Sequence, residues 1–307
     1  MKAVVFAYSA MGITGLDALE KSGVPVLAVF THEDDPSENR WFDSVSGWAK
    51  KQSVPVFTPE NVNAAEWVER IRRLGPDVIF SFYYRKILKR AILDIAPGGA
   101  FNLHGSLLPA YRGRCPVNWV LVNGETGTGV TLHYMAEKAD AGDIVGHREV
   151  PIDFQDTAIV LYRKLQKAAG ELLAELLPLI REGRAPRIPQ DDRMASTYGG
   201  RKPEDGRIDW TCPVHRIYNL IRAVTEPYPG AFTHLPGGET MIVWWALPER
   251  DAVPDRPPGR VEWRAGGVFV RGKDGRLRLL RGEIGGRLLD EKELIRYFEG
   301  KEGWILT

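Results

Sequence analysis

The chain has 307 residues, with 41 Lys or Arg against 40 Asp or Glu and a net charge of +1. That balance excludes a nucleic-acid binder built on a broad basic surface, which works by displacing counterions from phosphates, and leaves room for a local basic pocket. Two cysteines, Cys115 and Cys212, make neither a disulfide framework nor a zinc site, and 44% hydrophobic with 26% charged residues is an ordinary globular composition.

The length suggests two domains and a core that needs no metal or disulfide staple. The first apolar run is too short for a signal peptide or a membrane span, so the cytoplasm is the expected compartment. Residues 4–7 read as a buried strand, followed by Met11-Gly12-Ile13-Thr14-Gly15 and a helical stretch over 16–21. Strands are expected at 24–30, 54–57, 77–82 and 100–103, with helices at 45–51 and 64–74, the latter capped by Asn63. Short strands alternating with helices predict an α/β fold with a mostly parallel, Rossmann-like sheet. The runs 129–134 and 144–151 are separated too briefly for a helical crossover and are expected to pair antiparallel. Leu161, Leu165, Ala169, Leu172, Leu176 and Ile180 recur at helical spacing and predict a helix over 157–181, bent or ended near Pro178.

Residues 184–207, rich in Gly, Pro, Arg and Asp, read as a linker between a first domain at 1–183 and a second at 208–307. The second domain opens with a helix near 214–224. Strand-like runs follow at 240–245, 259–263, 268–271 and 277–280, the pattern of a smaller, barrel-like β domain.

The glycines after the first strand are Gly12 and Gly15, with Ala10 where a dinucleotide fingerprint needs its first glycine. A strand-to-helix turn is the favoured reading. The most informative run is Phe101-Asn102-Leu103-His104-Gly105-Ser106-Leu107-Leu108-Pro109. Asn102 and His104 are two apart on a strand and share a face. They stand at its carboxyl end, where open α/β sheets bind ligands. An amide that donates to an oxyanion beside an imidazole that moves a proton suits acyl transfer. A hydrogen-bonded loop histidine beside a polar strand end fits the spacing equally well. Asp140, in Lys138-Ala139-Asp140-Ala141-Gly142-Asp143, reads locally as a turn residue, and near His104 it would orient the ring and favour its protonated form. Tyr111-Arg112-Gly113-Arg114 suits either an anion grip or a solvated loop. Cys115 reads as a small buried residue. Tyr83-Tyr84-Arg85-Lys86-Ile87-Leu88 suits either the wall of a flat pocket or helix packing. His133, His147, His215 and His234 have no partner motif and read as structural or surface residues.

The run Asn102-x-His104-x-Ser106-Leu107-Leu108-Pro109-x-Tyr111-Arg112-Gly113, with Asp140 downstream before a glycine, resembles the folate-dependent formyltransferases. Methionyl-tRNA formyltransferases, glycinamide ribonucleotide formyltransferases and sugar-nucleotide formyltransferases make up this family. Segments such as Asp77-Val78-Ile79-Phe80-Ser81-Phe82-Tyr83-Tyr84-Arg85 and Pro227-Tyr228-Pro229-Gly230-Ala231-Phe232 are most similar to the branch that formylates UDP-4-amino-4-deoxy-L-arabinose on the route to modified lipid A, the formyltransferase halves of bifunctional polymyxin-resistance proteins. The dehydrogenase half of those proteins has no counterpart in these 307 residues, which fits either a formyltransferase standing alone or one cut from its other half. The resemblance implies Asn102, His104 and Asp140 as the catalytic set and 10-formyltetrahydrofolate as donor, with no metal. It places folate against Lys86, Ile87, Leu88, Arg114, Ala136, Glu137, Lys138, Ala139 and Asp140. Ser106, Tyr111 and Arg112 are candidates for the sugar nucleotide.

The rival acceptor within the family is methionyl-tRNA. The loop His32-Glu33-Asp34-Asp35-Pro36-Ser37-Glu38-Asn39-Arg40 is acidic where tRNA enzymes carry a longer basic one, and residues 201–307 hold 18 Lys or Arg against 16 Asp or Glu. Phosphate repulsion and so little positive excess favour a nucleotide sugar over RNA. A formyltetrahydrofolate hydrolase, an NAD-dependent oxidoreductase and a non-catalytic nucleotide-binding module are further alternatives.

Overall fold

The computed structural model describes residues 1–33, 42–250, 257–264 and 266–307. Most of the acidic loop, 34–40, lies outside the described residues. The chain divides into two compact units. The first takes Met1–Pro116, Gly127–Pro151 and Tyr162–Gly199, and the second Val117–Thr126, Ile152–Leu161 and Gly200–Thr307.

In chain order the first half runs β1 (Ala3–Ala7), α1 (Ser9–Lys21), β2 (Val26–Phe30), α2 (Val45–Lys51), β3 (Val56–Phe57), α3 (Ala65–Leu74), β4 (Val78–Phe82), α4 (Arg90–Leu93), β5 (Ala100–His104), β6 (Arg112–Gly113), α5 (Pro116–Val122), β7 (Gly127–Tyr134), β8 (Ile144–Pro151), α6 (Ala158–Arg181) and β9 (Thr197–Tyr198). Seven of these strands form one sheet in the order β3-β2-β1-β4-β5-β7-β8. The first five are mutually parallel. β7 runs antiparallel to β5, and β8 antiparallel to β7, as the short 135–143 connection dictates. β1 and β4 are buried at all five positions, because a parallel sheet covered on both faces needs continuous apolar strands.

Helix α1 begins at Ser9, well ahead of the expected start at residue 16. Its glycines serve close packing rather than a dinucleotide: a Cβ on Gly15 would stand 2.3 Å from Phe82 Cδ2. Asn63 does not cap α3, whose N-cap is Ala64. The Asn63 amide instead donates to Ile87 O (2.9 Å) and accepts from Lys89 N (2.8 Å), holding the chain after β4. Helix α6 continues past Pro178 to Arg181.

The second unit contains α7 (Val214–Val224), then β10 (Ala231–His234), β11 (Thr240–Arg250), β12 (Val261–Arg264), β13 (Gly267–Arg271), β14 (Gly275–Ile284), β15 (Arg287–Asp290) and α8 (Glu291–Phe298). The strands form an antiparallel sheet in the order β10-β11-β14-β13-β12, with β15 paired to β14. Alternate residues of β14, among them Leu277 and Leu279, are buried, the period of a sheet with one covered face. Val214, Ile217, Tyr218 and Ile221 form the buried side of α7. Residues 117–126 and 152–161 sort with this unit, whereas 184–199, read as linker, sort with the first.

Candidate active site

β5 ends at His104, so Asn102 and His104 project from one face at its carboxyl end. Asp140 reaches them from the turn between β7 and β8. Its Oδ1 lies 3.6 Å from His104 Nδ1 and 3.5 Å from His133 Nε2, and it accepts from Asn102 Nδ2 at 3.3 Å. Its Oδ2 accepts from Gly113 N at 2.9 Å. The structure therefore gathers the three expected residues around one carboxylate.

A fourth side chain joins them. His133 stands opposite Asn102 in the β5–β7 register and is 1% exposed. Its Nε2 lies 3.1 Å from Asn102 Nδ2, and its Nδ1 lies 2.8 Å from Tyr134 O. No motif marks this histidine; its signal is cross-strand pairing with Asn102, which requires knowing that β7 borders β5.

His104 is held between two acceptors. Nε2 lies 2.8 Å from Tyr111 O, and Nδ1 faces Asp140. Either neutral tautomer leaves a ring lone pair facing an oxygen, so both neighbours favour the imidazolium. Burial acts the other way and dominates: desolvation pushes the His104 pKa below its ordinary value, Asp140 and the Tyr111 carbonyl oppose it, and His133 adds to the fall. The expected carboxylate effect is present, but it does not carry the balance. For Asp140, burial is the largest single influence and raises its pKa. His104, His133 and the Gly113 N–H together overcome it, and the carboxyl is held well below the usual carboxylate range.

The other expected residues separate by burial. Ser106 is fully buried and donates to Ala110 O at 2.6 Å. Arg112 is 2% exposed, and its guanidinium donates to Gln190 Oε1 and Asp192 Oδ1, both at 2.7 Å from the nearest nitrogen. Both side chains are engaged inside the protein. Tyr111 stacks on Tyr198 with centroids 4.8 Å apart. Arg114 is exposed. Lys86 Nζ donates to Pro59 O at 2.9 Å, Ile87 is 66% exposed and Leu88 is buried. Ala136, Glu137, Lys138 and Ala139 form an exposed rim leading to Asp140. Beside that rim lies a groove of about 510 Å³, walled by Leu93, Ala96, Ala100 and Met135, with Tyr134 and Glu137 also lining it. Gln190, which sequence reasoning passed over, binds the Asp140 turn; its contacts there are to backbone carbonyls and leave no motif.

An N-formyltransferase from Helicobacter canadensis, solved with folinic acid and dTDP-3-aminofucose, superimposes with a TM-score of 0.67 at 20% identity, over 91% of this chain and 98% of its own. WlaRD, a sugar 3N-formyl transferase solved with dTDP and 5-N-formyl-THF, gives 0.69 at 19% identity, over 94% and 98%. HypX from Aquifex aeolicus, solved with tetrahydrofolic acid, gives 0.64 at 19% identity, over 98% of this chain and 48% of its own. At such identities the likeness concerns the fold. The formyl transferase family model matches residues 1–177, and the model of the formyl transferase C-terminal domain matches residues 201–298. The chain belongs to the formyl transferase family and is a formyltransferase enzyme.

Proposed function

We propose that the chain transfers the formyl group of 10-formyltetrahydrofolate to the 4-amino group of UDP-4-amino-4-deoxy-L-arabinose, the reaction of the polymyxin-resistance formyltransferases on the route to modified lipid A. The observation that carries formyl transfer is the shared carboxylate: Asp140 within 3.6 Å of His104 and 3.3 Å of Asn102 at the carboxyl end of β5. Formyl transfer to a nucleotide-linked amino sugar is supported by the H. canadensis and WlaRD structures, which pair a folate with a dTDP compound. The choice of this sugar rests on the segment resemblance, and the acidic residues 33–38 argue against tRNA.

Of the residues expected against folate, Ala136 and Glu137 line the groove beside Met135, which includes none of Asn102, His104 and Asp140. When bound, the folate supplies a formyl carbon activated by its attachment to N10. The chain's residues then divide the work. Asn102 Nδ2, turning one hydrogen away from its longer contact with Asp140, donates to the oxygen that gains charge as the amine adds. His104, with its pKa held down by burial, is deprotonated at neutral pH. It therefore takes the proton from the attacking amine and passes it to the leaving nitrogen, in preference to acting as a fixed positive charge. Asp140 orients the ring and stabilises it in the moments when it is charged. Residues 1–183 form the catalytic domain in this reading, 184–207 the connection and 208–307 the smaller domain.

A side-by-side assay tests the acceptor: UDP-4-amino-4-deoxy-L-arabinose, other UDP- and dTDP-amino sugars, and methionyl-tRNA, each with 10-formyltetrahydrofolate. Turnover confined to tRNA overturns the proposal, and turnover confined to another amino sugar overturns the choice of sugar alone.

A further inference from the structure

Asp140 sits at a backbone φ of 56°, a left-handed conformation that costs an L-residue energy and needs outside support to persist. That support comes from residue 190. The Gln190 Nε2 group donates one hydrogen to Asp140 O at 2.8 Å and the other to Gly142 O at 2.7 Å. Its Oε1 accepts from Arg112 Nε at 3.1 Å and Nη2 at 2.7 Å. Both amide hydrogens and the amide oxygen are thus in use, and the arginine that fixes the oxygen is itself buried. Gly142 lies close against the strand, where a Cβ would stand 1.9 Å from Tyr134 O. The carbonyls on both sides of the turn are therefore pinned by one side chain from a remote segment.

We propose that Gln190, anchored by Arg112, is a positioning residue for the reaction: it fixes the turn that aims the Asp140 carboxylate at His104 and so sets turnover more than substrate affinity. This rests on the reading of Asp140 as the partner of His104. Gln190 touches neither the histidine nor Asn102 in any contact described above, so its influence must pass through the turn. A purely structural role, tying down the 188–198 segment, would lower stability without singling out Asp140.

A double-mutant cycle in the full chain separates the two. Steady-state kcat and KM are measured for Gln190→Met, Asp140→Asn and the double variant, on the acceptor found by the side-by-side assay, with melting curves for each. Gln190→Met keeps the length and removes every polar contact. The expected result is a fall in kcat of about 10- to 100-fold, with both KM values within about threefold of wild type. In the Asp140→Asn background the same change should cost less than about threefold, because the group being positioned has already lost its charge. Equal costs in both backgrounds, or a Gln190→Met kcat within about twofold of wild type, overturn the proposal. Near-normal activity of Asp140→Asn overturns the underlying reading of Asp140, a distinct outcome. Should the methionine variant fail to fold, Gln190→Asn takes its place. It keeps the amide but is a methylene too short to span Arg112 and the turn, so the same fall in kcat is expected and its absence is equally decisive.

Discussion

Replacing Asp140 by Asn is the sharpest test of the site, because the change keeps the shape and removes only the charge. At 3.6 Å from His104, a full ion pair at an effective dielectric near 20 has a Coulomb energy of roughly 4–5 kcal/mol. Desolvation of two buried groups takes back part of this, leaving roughly 3–4 kcal/mol acting on the charged form of the ring. Each ~1.4 kcal/mol is a factor of ten in rate, so kcat should fall by about 10²- to 10³-fold. The Gly113 N–H retains an acceptor in the Asn side chain, so folding should survive. Asp140 raises the His104 pKa against burial, so its removal should also move the acid limb of the kcat/KM profile to lower pH. Initial rates of tetrahydrofolate release, taken across pH at saturating and at limiting acceptor, read both effects. A kcat within tenfold of wild type, or an acid limb that moves upward, would refute the assignment of Asp140 as the charge behind His104.

Three further outcomes follow from the same geometry. His104 has a folded-state pKa below its unfolded value of about 6.5. Below pH 6.5 the unfolded chain takes up a proton that the folded chain refuses, so stability is intact above that pH and falls as pH drops toward the folded value. Urea midpoints of His104→Gln should lack this acidic slope while those of wild type show it. Gly15→Ala forces a methyl to within 2.3 Å of the Phe82 ring and should cost about 1–3 kcal/mol or more by overpacking. Gly12→Ala meets its nearest atom at 3.2 Å and should cost less, a ranking that thermal melts decide. Arg112→Leu leaves the Gln190 oxygen without its donors and should cost about 1–3 kcal/mol, seen as a fall in melting temperature of several degrees.

Much of the first unit is legible in the sequence because parallel strands must be apolar on both faces. The runs at β1 and β4 state this directly, and the brief 135–143 connection forces β7 and β8 to pair antiparallel. Asn102 and His104 are legible for the same reason, since strand period alone puts them on one face. Asp140 is legible only through family resemblance, because a turn aspartate looks the same whether it faces solvent or a histidine. Arg112 and Arg114 look equivalent in sequence, but Gly113, at φ 98°, turns the chain between them. One guanidinium goes inward to Gln190 and the other stays at the surface. His133 and Gln190 were missed for complementary reasons. The histidine depends on which strand borders β5, a long-range fact. The glutamine reaches the turn through backbone carbonyls, which every residue has, and its side-chain partner Arg112 lies 78 residues away in sequence, so neither contact points back to it. Residues 184–199 sort with the first unit, a placement that irregular sequence with no period does not encode.

The backbone around the carboxylate explains why the site draws on such distant segments. Tyr111, Gly113, Cys115 and Asp140 all have positive φ, and strain of this kind costs the non-glycine residues about 1–3 kcal/mol each. Local sequence does not stabilise such a chain path, and at Tyr111, Gly113 and Asp140 the bend is held by a bond from elsewhere. Tyr111 N donates to Ser196 Oγ at 2.9 Å and its carbonyl receives His104 Nε2. Gly113 N donates to Asp140, and the Asp140 carbonyl receives Gln190. Two of these bonds join a reacting side chain, His104 or Asp140, to a backbone group it helps to fix, and a third fixes the turn that carries Asp140. The catalytic groups are thus structural partners of the loops that aim them. Reorganisation on substrate binding would have to break several bonds together, and so the arrangement is already committed before the reactants arrive, as electrostatic stabilisation of a short-lived charge requires.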